Sequence, residues 1–262
     1  MKFRLKLFSL HLLSSLGVLT LVLGILYLGW YRWPGWYLTN ALRVVPILIA
    51  VDAALGPLLT LLIANPLKSR RELGRDIAVI VAVQLLALGY GASTLWRGRP
   101  LYYTFSIDRL QIVQASDLDP HEVALALKEN PGFAPHWYSQ PRWVWAPLPK
   151  DDGARAEIIS SAVGGGDDVI QMPRYFQSWE RGLPALREHL QTVDQQRDYA
   201  FFRKKPRLRQ MMVQRGFGPD EPATMLMAGQ SPSLLAVFDR DTMQIRAYLR
   251  SDFEIPHPRK PR

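Results

Sequence analysis

Three long stretches with almost no charge, all within the first hundred residues, constrain this chain more than any other feature. Ser9 to Tyr31 and Ile77 to Trp96 carry no formal charge, and Val44 to Ala64 carries one, Asp52. A helix rises ~1.5 Å per residue and the hydrocarbon core of a bilayer is ~30 Å thick, so about 20 apolar residues make a crossing. Three such stretches in succession predict three transmembrane helices rather than the buried helices of a globular core. The first is too long for the apolar region of a signal peptide, and Trp30-Tyr31-Arg32-Trp33-Pro34 offers no small-residue cleavage site. The expected fold class is a membrane protein with three N-terminal transmembrane helices (residues 1–96) and a C-terminal mixed α+β soluble domain (97–255). A disordered tail (256–262) is expected to follow.

Charge supports the same division. Eleven basic and three acidic residues precede position 100, so +8 of the net +9 flanks the apolar stretches. That placement serves membrane topology and argues against nucleic acid as a partner. Lys2, Arg4 and Lys6 precede the first stretch, and Lys68, Arg70, Arg71 and Arg75 fill the second loop, whereas the first loop has only Arg32 and Arg43. The positive-inside rule then puts the N-terminus and second loop in the cytoplasm. Three crossings leave the soluble domain outside, in the periplasm of a Gram-negative cell. Trp30, Tyr31, Trp33, Trp36 and Tyr37 read as an interfacial aromatic belt, joined by Trp96, Tyr102 and Tyr103. The basic run Arg203 to Arg209 reads as a solvated turn, with a phosphate- or lipid-binding patch as the alternative.

The second stretch holds the unusual residues. Asp52 is costly at mid-membrane and must face protein or a watery cavity. Gly56 shares its helix face four residues on and permits close helix approach, while Pro57 withholds an N–H from the carbonyl of Ala53 and predicts a kink. With Thr60, these residues form a candidate partner-binding face: Asp52, Gly56, Pro57 and Thr60. Two further readings of Asp52 stand beside it: a proton relay, and a hydrogen bond within its own bundle to Thr60, Asn65, Gln84 or a hydroxyl. His11, inside the first stretch, reads as a packing or interface residue.

In the soluble part, Pro100 to Val113 reads as a strand leaving the membrane. Asp119-Pro120 starts a helix that stops before Asn130-Pro131-Gly132. Pro135 to Pro149 reads as a loop packed by its own aromatics, with Trp137, Trp143 and Trp145 as a candidate contact surface. Helices are expected over Ala154–Val163 and Leu183–Gln196. Leu234–Phe238, a turn at Asp239 to Thr242, and Gln244–Leu249 predict a terminal hairpin.

Recognisable chemistry is missing. No two of the five histidines lie at i, i+4, Gly164-Gly165-Gly166 lacks the Lys-Ser/Thr of a phosphate loop, and Gly229-Gln230-Ser231-Pro232-Ser233 departs from the nucleophile elbow at its last position. The chain has no cysteine, which excludes disulfides and thiol chemistry. The expectation is an interaction protein with no catalytic site, metal or cofactor. Its partners would be other membrane-associated proteins and lipid.

The basic start Lys2 to Lys6, Asp52 to Thr60 in the second stretch, Lys68 to Asp76, Tyr103 to Val113 and the terminal hairpin together resemble the TfpX/TfpZ family of type IV pilin accessory (fimbrial assembly) proteins. The resemblance covers nearly the whole chain and is most specific over residues 44 to 113. It implies a multi-pass inner-membrane protein that binds a cognate type IV pilin, with other pilus assembly proteins as further partners, and promotes assembly or surface expression without catalysis. A membrane-anchored sensor or ligand-binding protein is the alternative. The inner loop of about a dozen residues is too short for a cytoplasmic output domain.

Overall fold

The computed structural model describes residues 1–39, 41–107, 109–195, 205–218, 221–227 and 234–250. The 256–262 tail, the Gly229–Ser233 segment and Arg203-Lys204 of the basic run lie outside the described residues. The chain divides into two compact units, Met1–Arg99 and Pro100–Arg262.

The first unit holds three helices long and apolar enough to cross a membrane, Lys2–Gly29, Ala41–Ile63 and Arg70–Arg97. Helix α1 (Lys2–Gly29) is unbroken, and a short α2 (Gly35–Leu38) follows it. The second long helix is composite. It runs as α3 (Ala41–Ile49), a π-helical segment (Ala50–Leu55) and α4 (Gly56–Ile63). Here the chain meets the missing N–H of Pro57 by widening rather than by a simple kink, and the Gly56 N–H donates to the carbonyl of Val51. Helix α5 (Arg70–Arg97) begins with a reciprocal cap: Ser69 Oγ accepts from the Glu72 N–H at 3.3 Å and Glu72 Oε2 accepts from the Ser69 N–H at 2.9 Å. Leu19, Leu26, Leu48, Leu88 and Leu95 form the apolar seam of the bundle. At one end Trp30 meets Trp96 edge to face at 4.8 Å, and the buried Tyr31 hydroxyl donates to the Leu95 carbonyl at 2.6 Å.

The second unit is a mixed α+β fold. Its strands are β1 (Pro100–Ser106), β2 (Arg109–Gln114), β3 (Arg142–Trp145), β4 (Gln177–Ser178), β5 (Gln191–Thr192), β6 (Pro222–Met227), β7 (Leu234–Phe238) and β8 (Ile245–Arg250). They form one sheet in the order β4-β3-β1-β2-β6-β7-β8. Strands β1–β3 and β2–β6 pair in parallel, while β1–β2, β6–β7 and β7–β8 are antiparallel. One edge of β6 is shared: β5 takes its Pro222-Ala223 end and β2 its Leu226-Met227 end.

The helices are α6 (Pro120–Glu129), α7 (Asp152–Val163), α8 (Trp179–His189) and α9 (Lys205–Gln214). Asp119 caps α6 by accepting from the His121 N–H at 2.6 Å. At its other end the Asn130 side-chain amide lies 2.9–3.2 Å from the carbonyls of Pro173, Arg174 and Phe176. One apolar core gathers Leu101, Tyr102, Val113, Val144, Ile158 and Phe176, and a second gathers Leu208 and Met212 of α9 with Leu235, Val237 and Leu249.

Four readings need correction. Pro100–Val113 is a two-stranded hairpin, not one strand; its turn is made at Ile107, whose φ is +54°. Tyr102 and Tyr103 belong to the sheet interior rather than to an interfacial belt, because every residue of β1 is buried. Burial pushes the Tyr102 phenol up to about 12, and its hydroxyl donates to the Phe133 carbonyl at 2.6 Å. The helix expected at Leu183–Gln196 lies at Trp179–His189, four residues earlier at its start. Pro184 sits inside it, not in its first turn, and Gly182 is the position where the helix lies against the Trp145 side chain. The basic run becomes the start of α9 from Lys205 onward, where Arg209 pairs with Asp194, rather than a turn.

Candidate functional site

The most unusual chemistry in the chain lies inside the three apolar helices. Asp52 is only 4% exposed and Thr60 only 1%, and Gln84 is also buried. Gly56 and Pro57 share this inner face with them, so all four expected face residues (Asp52, Gly56, Pro57, Thr60) turn into the chain's own bundle. A Cβ at Gly56 would overlap the Gln84 carboxamide, so a larger residue there would push that side chain from its hydrogen bonds. The same logic holds at Gly91, where a Cβ would overlap Leu48.

A hydrogen-bond chain links the three helices. His11 Nδ1 lies 2.5 Å from Thr60 Oγ1, and His11 Nε2 lies 2.7 Å from Gln84 Oε1. The Gln84 amide nitrogen then donates to the main-chain carbonyl of Asp52 at 3.1 Å and to Ser15 Oγ at 3.5 Å. Because Gln84 Oε1 only accepts, His11 must carry a proton on Nε2 to make this bond, and the Thr60 hydroxyl can serve Nδ1 as donor. His11 thus joins α1 to α4 and α5 at one depth.

Asp52 is not a member of this chain through its carboxylate. Thr60 and Gln84, two expected partners, spend their side chains on His11 and on backbone, and Asn65 Oδ1 accepts from the Leu67 N–H. Among the described residues neither carboxylate oxygen of Asp52 has a hydrogen-bond partner. A cavity of about 110 Å³ adjoins it, walled by Ser14, Ser15 and Val18 of α1 and by Val81, Leu85 and Leu88 of α5. Sequence reasoning found Asp52 but missed His11 as the hub; a histidine amid uncharged residues was the signal.

The three tryptophans of the soluble unit do not form one surface. Trp143 and Trp145 lie on strand β3 instead of a loop. Trp143 stacks on Tyr103 at 4.8 Å and meets Trp179 at 4.9 Å, and Trp145 packs on Gly182. Trp137 stands apart at 72% exposed, with Tyr138 edge-on at 5.5 Å and His136 stacked on Tyr138 at 5.4 Å. Among the described residues no group of three or more His, Asp or Glu side chains is placed to hold a metal ion.

Comparison with known proteins gives the relationship. A "Fimbrial assembly protein, serogroup I" of Dichelobacter nodosus is 28% identical over 189 residues, 71% of each chain. A "Fimbrial assembly protein, serogroups C1 and C2" of the same organism is 30% identical over 116 residues, which is 44% of this chain and 88% of that relative. The chain belongs to the fimbrial assembly protein family. No family model and no solved structure matches it. For this fimbrial assembly family member the fold therefore rests on its own strand order, and the buried Asp52–His11 region is its most distinctive chemical feature.

Proposed function

We propose that this protein is a non-catalytic accessory to type IV pilus assembly that binds its cognate pilin in the inner membrane. The observation that carries the reading is membership of a family whose relatives are named fimbrial assembly proteins. The two-unit architecture supports it: three apolar helices accompany a separately packed α+β unit, so a membrane-anchored subunit can be held at two places. The loop charges support an N-terminus in the cytoplasm and a periplasmic domain, since Lys68, Arg70, Arg71 and Arg75 cluster in the loop before and at the start of α5. On this reading the domains follow as residues 1–96 and 97–255, and the exposed Trp137 with Tyr138 is the contact for the pilin head. Exposed tryptophan and tyrosine offer large contact area at low entropic cost.

Deleting the gene and restoring it in trans tests this. Surface pili should disappear on deletion and return on complementation. Loss of pili with pilin retained assigns the protein to assembly; loss of both assigns it to subunit stabilisation. Normal pili and normal twitching in the deletion strain would overturn the reading.

A further inference from the structure

We propose that the crevice between α1 and α5 beside Asp52 is a docking groove for one transmembrane helix of a different protein, recognised through a nitrogen donor on that helix. The proposal deepens the accessory reading above and rests on it for the partner's membrane location. The carboxylate decides the chemistry. Both oxygens of Asp52 lack a partner among the described residues, and the residue is only 4% exposed where it lines the cavity. An isolated carboxylate in hydrocarbon is retained at a cost, and a charge-assisted N–H donor is the strongest way to offset it.

The crevice, about 110 Å³, has room for one side chain, so the docking helix lies across its mouth and a single side chain enters. Its rim residues Val18 and Leu85 are 44% and 56% exposed and apolar. On α1 the small residues Ser14 and Ser15 line the crevice, with Val18 one turn beyond Ser14. Small residues beside a buried polar group are how transmembrane helices approach closely. The occupant differs in composition from the apolar stretches of this chain: Ser9–Tyr31, Val44–Ala64 and Ile77–Trp96 contain no Lys or Arg to bring an ammonium or guanidinium to the depth of Asp52. A second copy therefore brings no cationic donor, its His11 and Gln84 being engaged within their own bundle, and a distinct partner helix with a Lys or Arg supplies it.

The test uses the full chain in native membranes, with the photo-crosslinking residue benzoylphenylalanine at Leu85 and, as control, at Leu62, which is 74% exposed on α4. The Leu85 probe should form an adduct that mass spectrometry maps to a transmembrane segment of another protein bearing a Lys or Arg. Asp52→Leu should lower its yield at least tenfold, and Asp52→Glu should retain it. Val18→Trp, which fills the groove from its exposed rim, should lower it equally and serves where Asp52→Leu fails to insert. Equal adduct from Leu62, a yield unmoved by Asp52→Leu and Val18→Trp, an adduct only to a second copy, or an adduct only to lipid would each overturn the groove. Pili lost on gene deletion alongside any of those results would leave the accessory reading standing. Normal pili alongside an Asp52-dependent adduct would overturn that reading and keep the groove.

Discussion

The two units hold their polar groups in opposite ways. In the α+β unit, polar side chains tie neighbouring segments together: the part-buried Asn130 donates to the carbonyls of Pro173, Arg174 and Phe176, and Arg174 lies 3.2 Å from the buried Glu122. The apolar cores carry the packing around them. In the helical unit the outer surface is apolar and the interior holds a histidine, a glutamine, a threonine and a carboxylate. Water drives the first arrangement, because apolar burial is its main source of stability. Lipid offers no such drive between helices, so packing of small residues and hydrogen bonds must specify how they meet. The difference teaches that a substitution's effect depends on which solvent surrounds the unit.

The largest effect is expected in the α+β unit. Met212→Ala empties a fully buried site against Leu208 and Leu235 and should cost about 2–5 kcal/mol, read as a lower melting temperature of the full chain in detergent. Gly56→Leu, in the helical unit, forces Gln84 from its place and should cost about 1–3 kcal/mol by overpacking. Its check is loss of folded protein at equal expression. His11→Phe removes two side-chain bonds in an apolar setting and should cost less, about 1 kcal/mol, since such bonds average ~0.6 kcal/mol in membranes. An effect of His11→Phe larger than that of Met212→Ala would break the comparison.

The smallest effects are two pH dependences of opposite sign within the α+β unit. Burial pushes the Glu122 carboxyl up, and the neighbouring Arg174 opposes the rise. The folded state then holds its proton more tightly, so stability falls as pH rises from the usual glutamate value through the raised one. Glu122→Gln should abolish that decline. Asp239 is held low, chiefly by hydrogen bonds from the Thr242 N–H and hydroxyl at 2.8 and 2.9 Å. Its contribution is present above the usual aspartate value and is lost as pH falls through the lowered one. Asp239→Ala should raise the pH of acid unfolding; acid titrations of the two variants should move in opposite directions.

Much of this architecture was legible in the sequence because the signals were local. Uncharged runs gave the three long helices, and Asp119-Pro120 gave the start of α6. The terminal hairpin followed from Asp239 to Thr242 between two β-rich runs. What failed depended on distant neighbours. A buried strand has no alternation to mark its end, so the break at Ile107 between β1 and β2 was invisible. Gly182 looks like a helix breaker until Trp145 is brought against it. At the candidate site Asp52, Gly56, Pro57 and Thr60 were readable as one face, but its direction was not. Only the contacts of His11 with Thr60 and of Gln84 with the Asp52 carbonyl, 49 and 32 residues apart, show that it points inward.

The π-helical segment Ala50–Leu55 has a consequence for phase. Successive residues of an α-helix turn by about 100°, so one residue more or fewer upstream rotates everything beyond it by that amount. A π segment absorbs an extra residue without ending the helix. Because the widened turn holds that extra residue, deleting one residue between Asp52 and Gly56 should restore ordinary α geometry and leave Thr60 facing His11, whereas forcing the full set of residues into α geometry would swing Thr60 about a quarter turn out of the bundle. The widened turn works as a vernier on the second helix: it sets Asp52 and Thr60 to the same interior although the helix between them is not regular.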